Sequence, residues 1–403
     1  MKIGVIGVGT AGILSLSYFC SQLDDNWEVY SIHDPKIPIV GVGESVLPPV
    51  VHIFNQGLGY TFLEDSSDLD IKIKHGVRFV NWRKHSFFLP FTAGINSFQF
   101  NNFKLKDYAF PRLKERWGHK FKAIEGKVTR LYNQKDRAVV VIANKSHKFD
   151  LIIDCRGFPK ELDNYSISNY IPVNSALVYV KNKPGDWEFT DHVAHKNGWM
   201  FGIPLATRQS WGYLYDKNIT SESDALADLG KLMKDKSIAS SQVNHFTFNN
   251  LHIKKLIDGR IISNGNQAFF FEPLQAISTG MYVLINRLSL NYIKGGYSHQ
   301  EQSNINRTFL DEVSQAEEII SFHYHGGSIY NSPFWQSAKA KSAERLSKSS
   351  KLISVKTALK GVSLAELQAT NISFGTANAW SWAGFDPWTI KNMDKKFGYN
   401  YFK

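Results

Sequence analysis

The chain opens on Lys2-Ile3-Gly4-Val5-Ile6, a short run of strand-forming residues, and after a glycine-rich turn continues as an apolar stretch from Ile13 to Leu23. A short apolar run bounded by a turn and followed by a longer apolar run predicts a strand leading into a helix. Trp27 to Ile32 predicts a second strand, and Phe149 to Cys155 a third whose near-continuous Leu151-Ile152-Ile153 core fits a parallel strand buried on both faces. Between Ile305 and Phe322 the apolar residues Phe309, Val313, Ala316 and Ile320 recur at helical spacing, so one face of a long helix is expected to be buried. The fold class that follows is α/β: a parallel core with helices, an antiparallel region inserted across about residues 165–255, and a helical C-terminal lobe. Domain boundaries are expected at 1–335 for the core and 336–403 for the lobe.

Composition narrows the function classes. The 403 residues are 43% hydrophobic and include 28 Phe, 17 Tyr and 10 Trp, which excludes disorder for most of the chain. Cys20 and Cys155 are the only cysteines, too few for a disulfide framework or a thiolate metal cluster, and a reducing cytoplasm is the natural compartment. Gly4, Gly7, Gly9 and Gly12 interrupt the apolar N-terminus, which argues against a secretory leader. No stretch approaches the roughly 18 uninterrupted apolar residues of a membrane span, so no membrane partner is expected. The formal charge of +11 is concentrated in residues 336–360, where Lys339, Lys341, Arg345, Lys348, Lys351, Lys356 and Lys360 face Glu344 alone. That run has no interleaved aromatics and no nucleic-acid module around it, so it reads as the solvated face of a late helix rather than a nucleic-acid site.

Gly7-Val8-Gly9-Thr10-Ala11-Gly12 stands between the first strand and the first helix, the context a dinucleotide fingerprint requires. Gly7 permits the tight turn, Gly9 lets backbone approach a pyrophosphate, and Gly12 lets the helix close on the strand. His33-Asp34 ends the second strand, and Asp34 lies 22 residues beyond Gly12, where a ribose-binding carboxylate falls. Asp34 precedes Pro35, so it is equally suited to initiating a turn.

Six ordered motifs then carry a resemblance. They are Gly41-Val42-Gly43-Glu44-Ser45; Ile73-Lys74-His75-Gly76-Val77-Arg78-Phe79; Asp150-Leu151-Ile152-Ile153-Asp154-Cys155-Arg156-Gly157-Phe158; Trp199-Met200-Phe201-Gly202-Ile203-Pro204; Asn264-Gly265-Asn266-Gln267-Ala268 leading to Glu272-Pro273-Leu274-Gln275-Ala276-Ile277-Ser278-Thr279-Gly280; and His323-Tyr324 followed by Ser332-Pro333-Phe334-Trp335. Together they resemble the flavin-dependent halogenases of the tryptophan-halogenase type, over about residues 1–335, and the compactness is similar to that of small phage-encoded, broad-substrate members. The resemblance implies a Rossmann-type FAD-binding core and makes Lys74 the catalytic lysine. It implies halide binding at Ser278, Thr279 and Gly280. Cofactor contacts fall to Gly7, Gly9, Thr10, Ala11, Gly12, His33, Asp34, Gly43, Glu44, Ser45, Val128, Asp154, Gly157, Asn266 and Pro273.

Two departures stand out. Phe201 replaces the second Trp of the family's Trp-x-Trp-x-Ile-Pro, and two extra residues separate Leu274 from Ser278, so the family's second Glu, partner of the lysine, is replaced by Gln275 or Ile277 or displaced. Trp380, Trp382 and Trp388 frame a pocket or fill a core. Cys155 and the His323-Tyr324-His325 pair of imidazoles read as structural, with no third metal ligand at a recognised spacing.

The implied reaction halogenates a small, electron-rich indole or phenol. Reduced FAD and O2 form a C4a-hydroperoxide, a halide turns it into hypohalous acid, and Lys74 holds the halogen beside the ring. With no second glycine fingerprint, a separate flavin reductase is the expected partner; a homo-oligomer is left open. An aromatic hydroxylase of the flavin monooxygenase class and a non-enzymatic flavin carrier are the rival readings.

Overall fold

The computed structural model describes residues 1–39, 44–91, 97–369 and 382–402, the side chains of Glu44 and Ala369 excepted. Its centre is a six-stranded sheet in the order Ile257–Asp258, Ile261–Ser263, Leu151–Asp154, Lys2–Ile6, Glu28–His33, Phe121–Glu125. All neighbours are parallel except the short edge pair Ile257–Asp258 and Ile261–Ser263. Leu151–Asp154 is buried at every position because both faces of the sheet are covered. On one face lie the helices Thr10–Gln22 and Ile277–Lys294. On the other, the meander Val128–Gln134, Arg137–Ile142, Lys145–Phe149 sets Ala138, Val140, Ile142 and Phe149 against Ile6, Ile32 and Ile152. The expected α/β core with the Rossmann turn at its N-terminus is therefore the observed one.

A second, seven-stranded sheet runs Asn244–Thr247, Ser175–Lys181, Gln209–Tyr215, Gly198–Pro204, Thr190–His195, Gly76–Val80, Phe87–Pro90. It is antiparallel apart from the parallel pair Thr190–His195 and Gly76–Val80. Its last two strands come from residues 76–90, outside the 165–255 region, because the alternating Val77 and Phe79 supply an apolar face that completes the sheet. Between the two sheets a three-stranded ladder pairs Ser45 with Gln99 and Lys74 with Ser97.

The long helix His299–Tyr324 buries Phe309, Val313, Ala316 and Ile320 as the spacing predicts. Pro333–Ser347, Ser350–Leu359, Leu364–Ala369 and Pro387–Phe397 follow it. One continuous apolar cluster joins Ile3 at the N-terminus to Phe397 and Phe402 at the C-terminus, so this helical region shares the main core.

The basic 336–360 run is partly neutralised within the fold. Arg345 is inserted between helices, its guanidinium bonded to Glu317 at 2.5 Å and Glu318 at 3.1 Å, and Lys348 pairs with Glu344 at 2.7 Å. Glu318 also accepts the indole N–H of Trp382 at 3.0 Å, so the ion pair is tied to the C-terminal segment. Trp382 thus fills the core; Trp380 lies outside the described residues. Removing Arg345 leaves two carboxylates without their cation. Arg345→Ala is expected to lower the unfolding free energy by about 3 kcal/mol in urea denaturation, whereas Lys348→Ala changes it by less than about 1 kcal/mol.

Candidate functional site: a flavin crevice and a buried lysine

The glycine turn sits at the carboxyl end of Lys2–Ile6, where open α/β sheets bind ligands. Gly7 has φ +99°, and a Cβ there would lie 2.7 Å from the Cys155 carbonyl oxygen. A Cβ on Gly12 would meet the Gly7 carbonyl oxygen at 2.0 Å, so helix and strand touch only because that position is glycine. Gly9 faces open space and caps Thr10–Gln22 without a side-chain acceptor. Thr10 Oγ1 is buried there with no partner. Free amides, a bare glycine and an orphaned hydroxyl at one helix N-terminus fit a pyrophosphate.

The second glycine motif closes on the first: a Cβ on Gly265, at φ +64°, would lie 2.8 Å from that of Ala11. Asn266 accepts the Tyr282 hydroxyl at 2.8 Å. Asp154 stands opposite Ile6 at the same sheet edge, both its oxygens held by Arg156 at 2.8 and 2.7 Å. Gly157, at φ +54°, faces open space. His33 is buried at the end of Glu28–His33 against Phe110, and burial lowers its pKa. Its carbonyl accepts the Gly126 N–H at 2.8 Å, which brings Val128 to the same edge. Asp34 accepts the Lys36 N–H at 3.0 Å and so closes a turn. Gly43 lies outside the described residues, as does the side chain of Glu44. Cys155 is buried and its thiol is pushed up by desolvation, which suits a packing role.

Lys74 is 1% exposed, and burial alone pushes its amine down to about 7. The amine donates to Ser45 Oγ at 2.7 Å and lies 5.3 Å from the Phe91 ring centre. Among the described residues no carboxylate is bonded to it. Gln275 is turned elsewhere: its amide nitrogen is 3.1 Å from His323 Nε2, while His323 Nδ1 donates to the Ile319 carbonyl at 2.7 Å. That pair of bonds sets the tautomer, with Nε2 accepting from Gln275. Gln275 and Ala276 are consecutive left-handed residues at φ +62° and +55°, the local consequence of the two-residue insertion.

Pro273 precedes that turn, and Ile277–Lys294 starts just after it. The Ser278 and Thr279 hydroxyls donate to the carbonyls of Phe271 and Ala276 at 3.3 and 2.9 Å, which leaves the first-turn amides without side-chain acceptors. An apolar cavity of about 100 Å³ lies beside Gly280, lined by Leu47, Ile277, Met281 and Phe385 with Glu312 at its margin. His192, also buried, stacks edge-on between Phe79 and Trp199 at 5.1 and 4.8 Å. The Trp199 indole donates to the Tyr324 hydroxyl at 2.6 Å, which donates to Glu272 at 2.7 Å. Burial raises the Glu272 carboxyl to about 8.

Sequence reading missed Gln99, Thr190 and His192. They stand far from any glycine motif, and only the pairing of strands brings them to Lys74. Ser45 was expected at the cofactor, yet its hydroxyl is bonded to the lysine.

A glycine fingerprint at the carboxyl edge of a parallel sheet, with the Gly265 turn packed against it, is the geometry of a dinucleotide-binding core. The family model for tryptophan halogenase matches residues 2–111 and 97–380. A tryptophan 6-halogenase of Streptomyces albogriseolus is 21% identical over 421 residues, covering 83% of this chain and 78% of its own. The tryptophan 7-halogenase RebH of Lentzea aerocolonigenes is 22% identical, covering 84% and 78%. The fold matches that of a tryptophan halogenase from Shewanella frigidimarina, with a TM-score of 0.80 at 17% identity, over 98% of this chain and 88% of that one. This chain belongs to the tryptophan halogenase family and is an enzyme of the flavin-dependent halogenase class.

The geometry fixes the expected behaviour of three variants. Gly9→Ala, at φ −70° and in open space, is expected to keep the melting temperature within a few degrees while weakening FAD binding in a fluorescence titration. Gly12→Ala is expected to prevent folding. For Lys74 the folded pKa lies below the unfolded one, so the unfolded chain binds the extra proton between about pH 10 and pH 7 and stability falls as pH drops through that window. Lys74→Met is therefore expected to be more stable than the parent, by a margin that grows from near zero at about pH 10 to several kcal/mol near pH 7. A margin that does not vary with pH would contradict the buried neutral amine.

Proposed function

We propose that this enzyme halogenates an electron-rich aromatic ring of the indole or phenol type, with Lys74 delivering the electrophilic halogen. The observation that carries the reading is a fully buried lysine, its amine bonded to Ser45 and its pKa depressed by burial, in a halogenase-family chain.

Gly7, Gly9, Thr10, Ala11 and Gly12 would hold the FAD pyrophosphate, His33, Asp34 and Val128 the adenosine end, and Ser45, Asp154, Gly157, Asn266 and Pro273 the remainder. Bound as FADH2 and reacting with O2, the flavin supplies the oxidising power that converts a halide into hypohalous acid. The chain's task is to place and shield. The amides at the start of Ile277–Lys294, around Ser278, Thr279 and Gly280, offer partial positive charge to a halide ion. Lys74, largely neutral above about pH 7, hydrogen-bonds the hypohalous acid and aims its halogen at the ring. The ring exchanges a proton for the halogen and water is released. The apolar cavity beside Gly280 supports an aromatic substrate, and Lys74, bonded to no carboxylate among the described residues, supports breadth toward phenols as well as indoles. FADH2 would come from a separate flavin reductase.

The test is a panel of indoles and phenols incubated with the protein, FAD, a flavin reductase, NADH and bromide. Catalase is present to remove peroxide, and products are read by mass spectrometry. A bromine isotope doublet is expected. In Lys74→Ala it should fall by at least about a hundredfold while FAD binding and peroxide release persist. Oxygen insertion without bromine would identify a hydroxylase instead, and would direct attention to Phe201. Tight FAD binding without turnover would identify a carrier.

A further inference from the structure

Three side chains behind Lys74 form a hydrogen-bonded row whose direction can be worked out atom by atom. Gln99 is fully buried; its amide nitrogen faces the Phe189 carbonyl at 3.4 Å, which leaves its Oε1, an acceptor only, toward Thr190. Thr190 Oγ1, 4% exposed, donates to that oxygen at 3.0 Å. A hydroxyl has one proton, so with that proton on Gln99 the Thr190 oxygen can only accept from Ser45, 3.1 Å away. The Ser45 proton is thereby committed as well. Toward Lys74, at 2.7 Å, the Ser45 oxygen can only accept.

The row is built from two sheets. Ser45 and Gln99 are cross-strand partners in the small ladder, Lys74 lies on the third strand of that ladder, and Thr190 opens a strand of the seven-stranded sheet opposite Val77. Every proton in the row points the same way, from Lys74 toward Gln99. The neutral amine must therefore use an N–H on Ser45, and its lone pair is left facing away from the row. Were Thr190 unable to accept, the Ser45 proton could rotate onto the amine and occupy that lone pair.

We propose that Gln99, Thr190 and Ser45 are positioning residues that act as a one-way hydrogen-bond relay, holding the Lys74 amine by an N–H so that its lone pair stays available to the halogen. Among the described residues no carboxylate is bonded to Lys74, and the relay takes the orienting role that such a partner would have had. This rests on the halogenase reading for its chemical consequence, but the relay's effect on the amine does not depend on turnover. Among the described residues, the titratable group electrostatically coupled to Lys74 is His192, on the same strand as Thr190. Burial, with Lys74 and then His323 adding to it, keeps that imidazole neutral.

The experiment compares Thr190→Val, Thr190→Ser and Ser45→Ala with the parent in two measurements. The first is the pH dependence of bromination kcat at saturating halide. The second is competitive acetylation of Lys74 by trace acetic anhydride across pH, read by peptide mass spectrometry, which reports the amine's pKa and nucleophilicity without any catalysis. Thr190→Val keeps the side-chain volume and removes the acceptor; kcat is expected to fall roughly tenfold, the size of one hydrogen bond, with the aromatic KM little changed. Lys74 acetylation should fall in parallel. Thr190→Ser restores the acceptor and should recover both. Ser45→Ala should lower both and is a second route if the valine variant folds poorly. Gln99→Glu still accepts from Thr190 but adds a negative charge, so the acetylation midpoint is expected to move about one pH unit upward. If Thr190→Val and Ser45→Ala keep the parent's kcat and acetylation profile, the relay is wrong. If the parent brominates nothing while the variants still change Lys74 acetylation, the relay stands and the halogenase reading of the site falls.

Discussion

Taking the amine of Lys74 out of water costs on the order of 5 kcal/mol in differential solvation, and the arrangement around it follows from that cost. A charged ammonium could not be held there without a counter-charge, so the group is kept mostly neutral. The hydrogen bond it donates to Ser45 must then go to a partner that does not demand charge. A hydroxyl meets that condition, and a carboxylate does not. Burial likewise keeps His192 and His323 neutral, the latter down to about 4, so both imidazoles sit uncharged among Phe79, Phe397 and Trp199.

The imidazole of His192, which feels the charge state of Lys74, is packed in an aromatic cluster drawn from several parts of the chain. Phe79 comes from the strand after Lys74, His192 from the seven-stranded sheet, and His323 from the end of the long helix. Phe397 comes from the last helix, its ring 5.3 Å from those of both Phe79 and His323. The C-terminal segment is thus part of this aromatic cluster, and one apolar cluster runs from Ile3 to Phe402. Arg83 fastens this closure by donating to the Phe397 carbonyl at 2.8 Å and the Gly327 carbonyl at 2.9 Å.

The turn before Ile277–Lys294 is a point of local strain. Gln275 and Ala276 both adopt left-handed conformations there, at an expected cost of about 1–2 kcal/mol each. The Gln275 bond to His323 offsets part of it. Turning Gln275 to His323 takes the side chain that stands where a carboxylate was expected away from the lysine.

What the sequence by itself determined is local: the glycine turn, whose three glycines each answer a contact that any Cβ would spoil or a ligand would need; the buried parallel strand ending in Asp154; the helical face of Phe309 to Ile320; and the lysine beside Gly76. These are legible because strand and helix periodicity, turn sterics and motif spacing act within a few residues. The tertiary structure alone decided which residue partners Lys74, where Gln275 points, and that Trp382 fills the core. It also showed Arg345 inside an ion-pair cluster and not on a solvated face. Those outcomes depend on strand pairing and helix packing between positions up to hundreds of residues apart. A hydrogen bond is settled by a few tenths of an ångström in three dimensions, a distance that spacing along the chain does not encode.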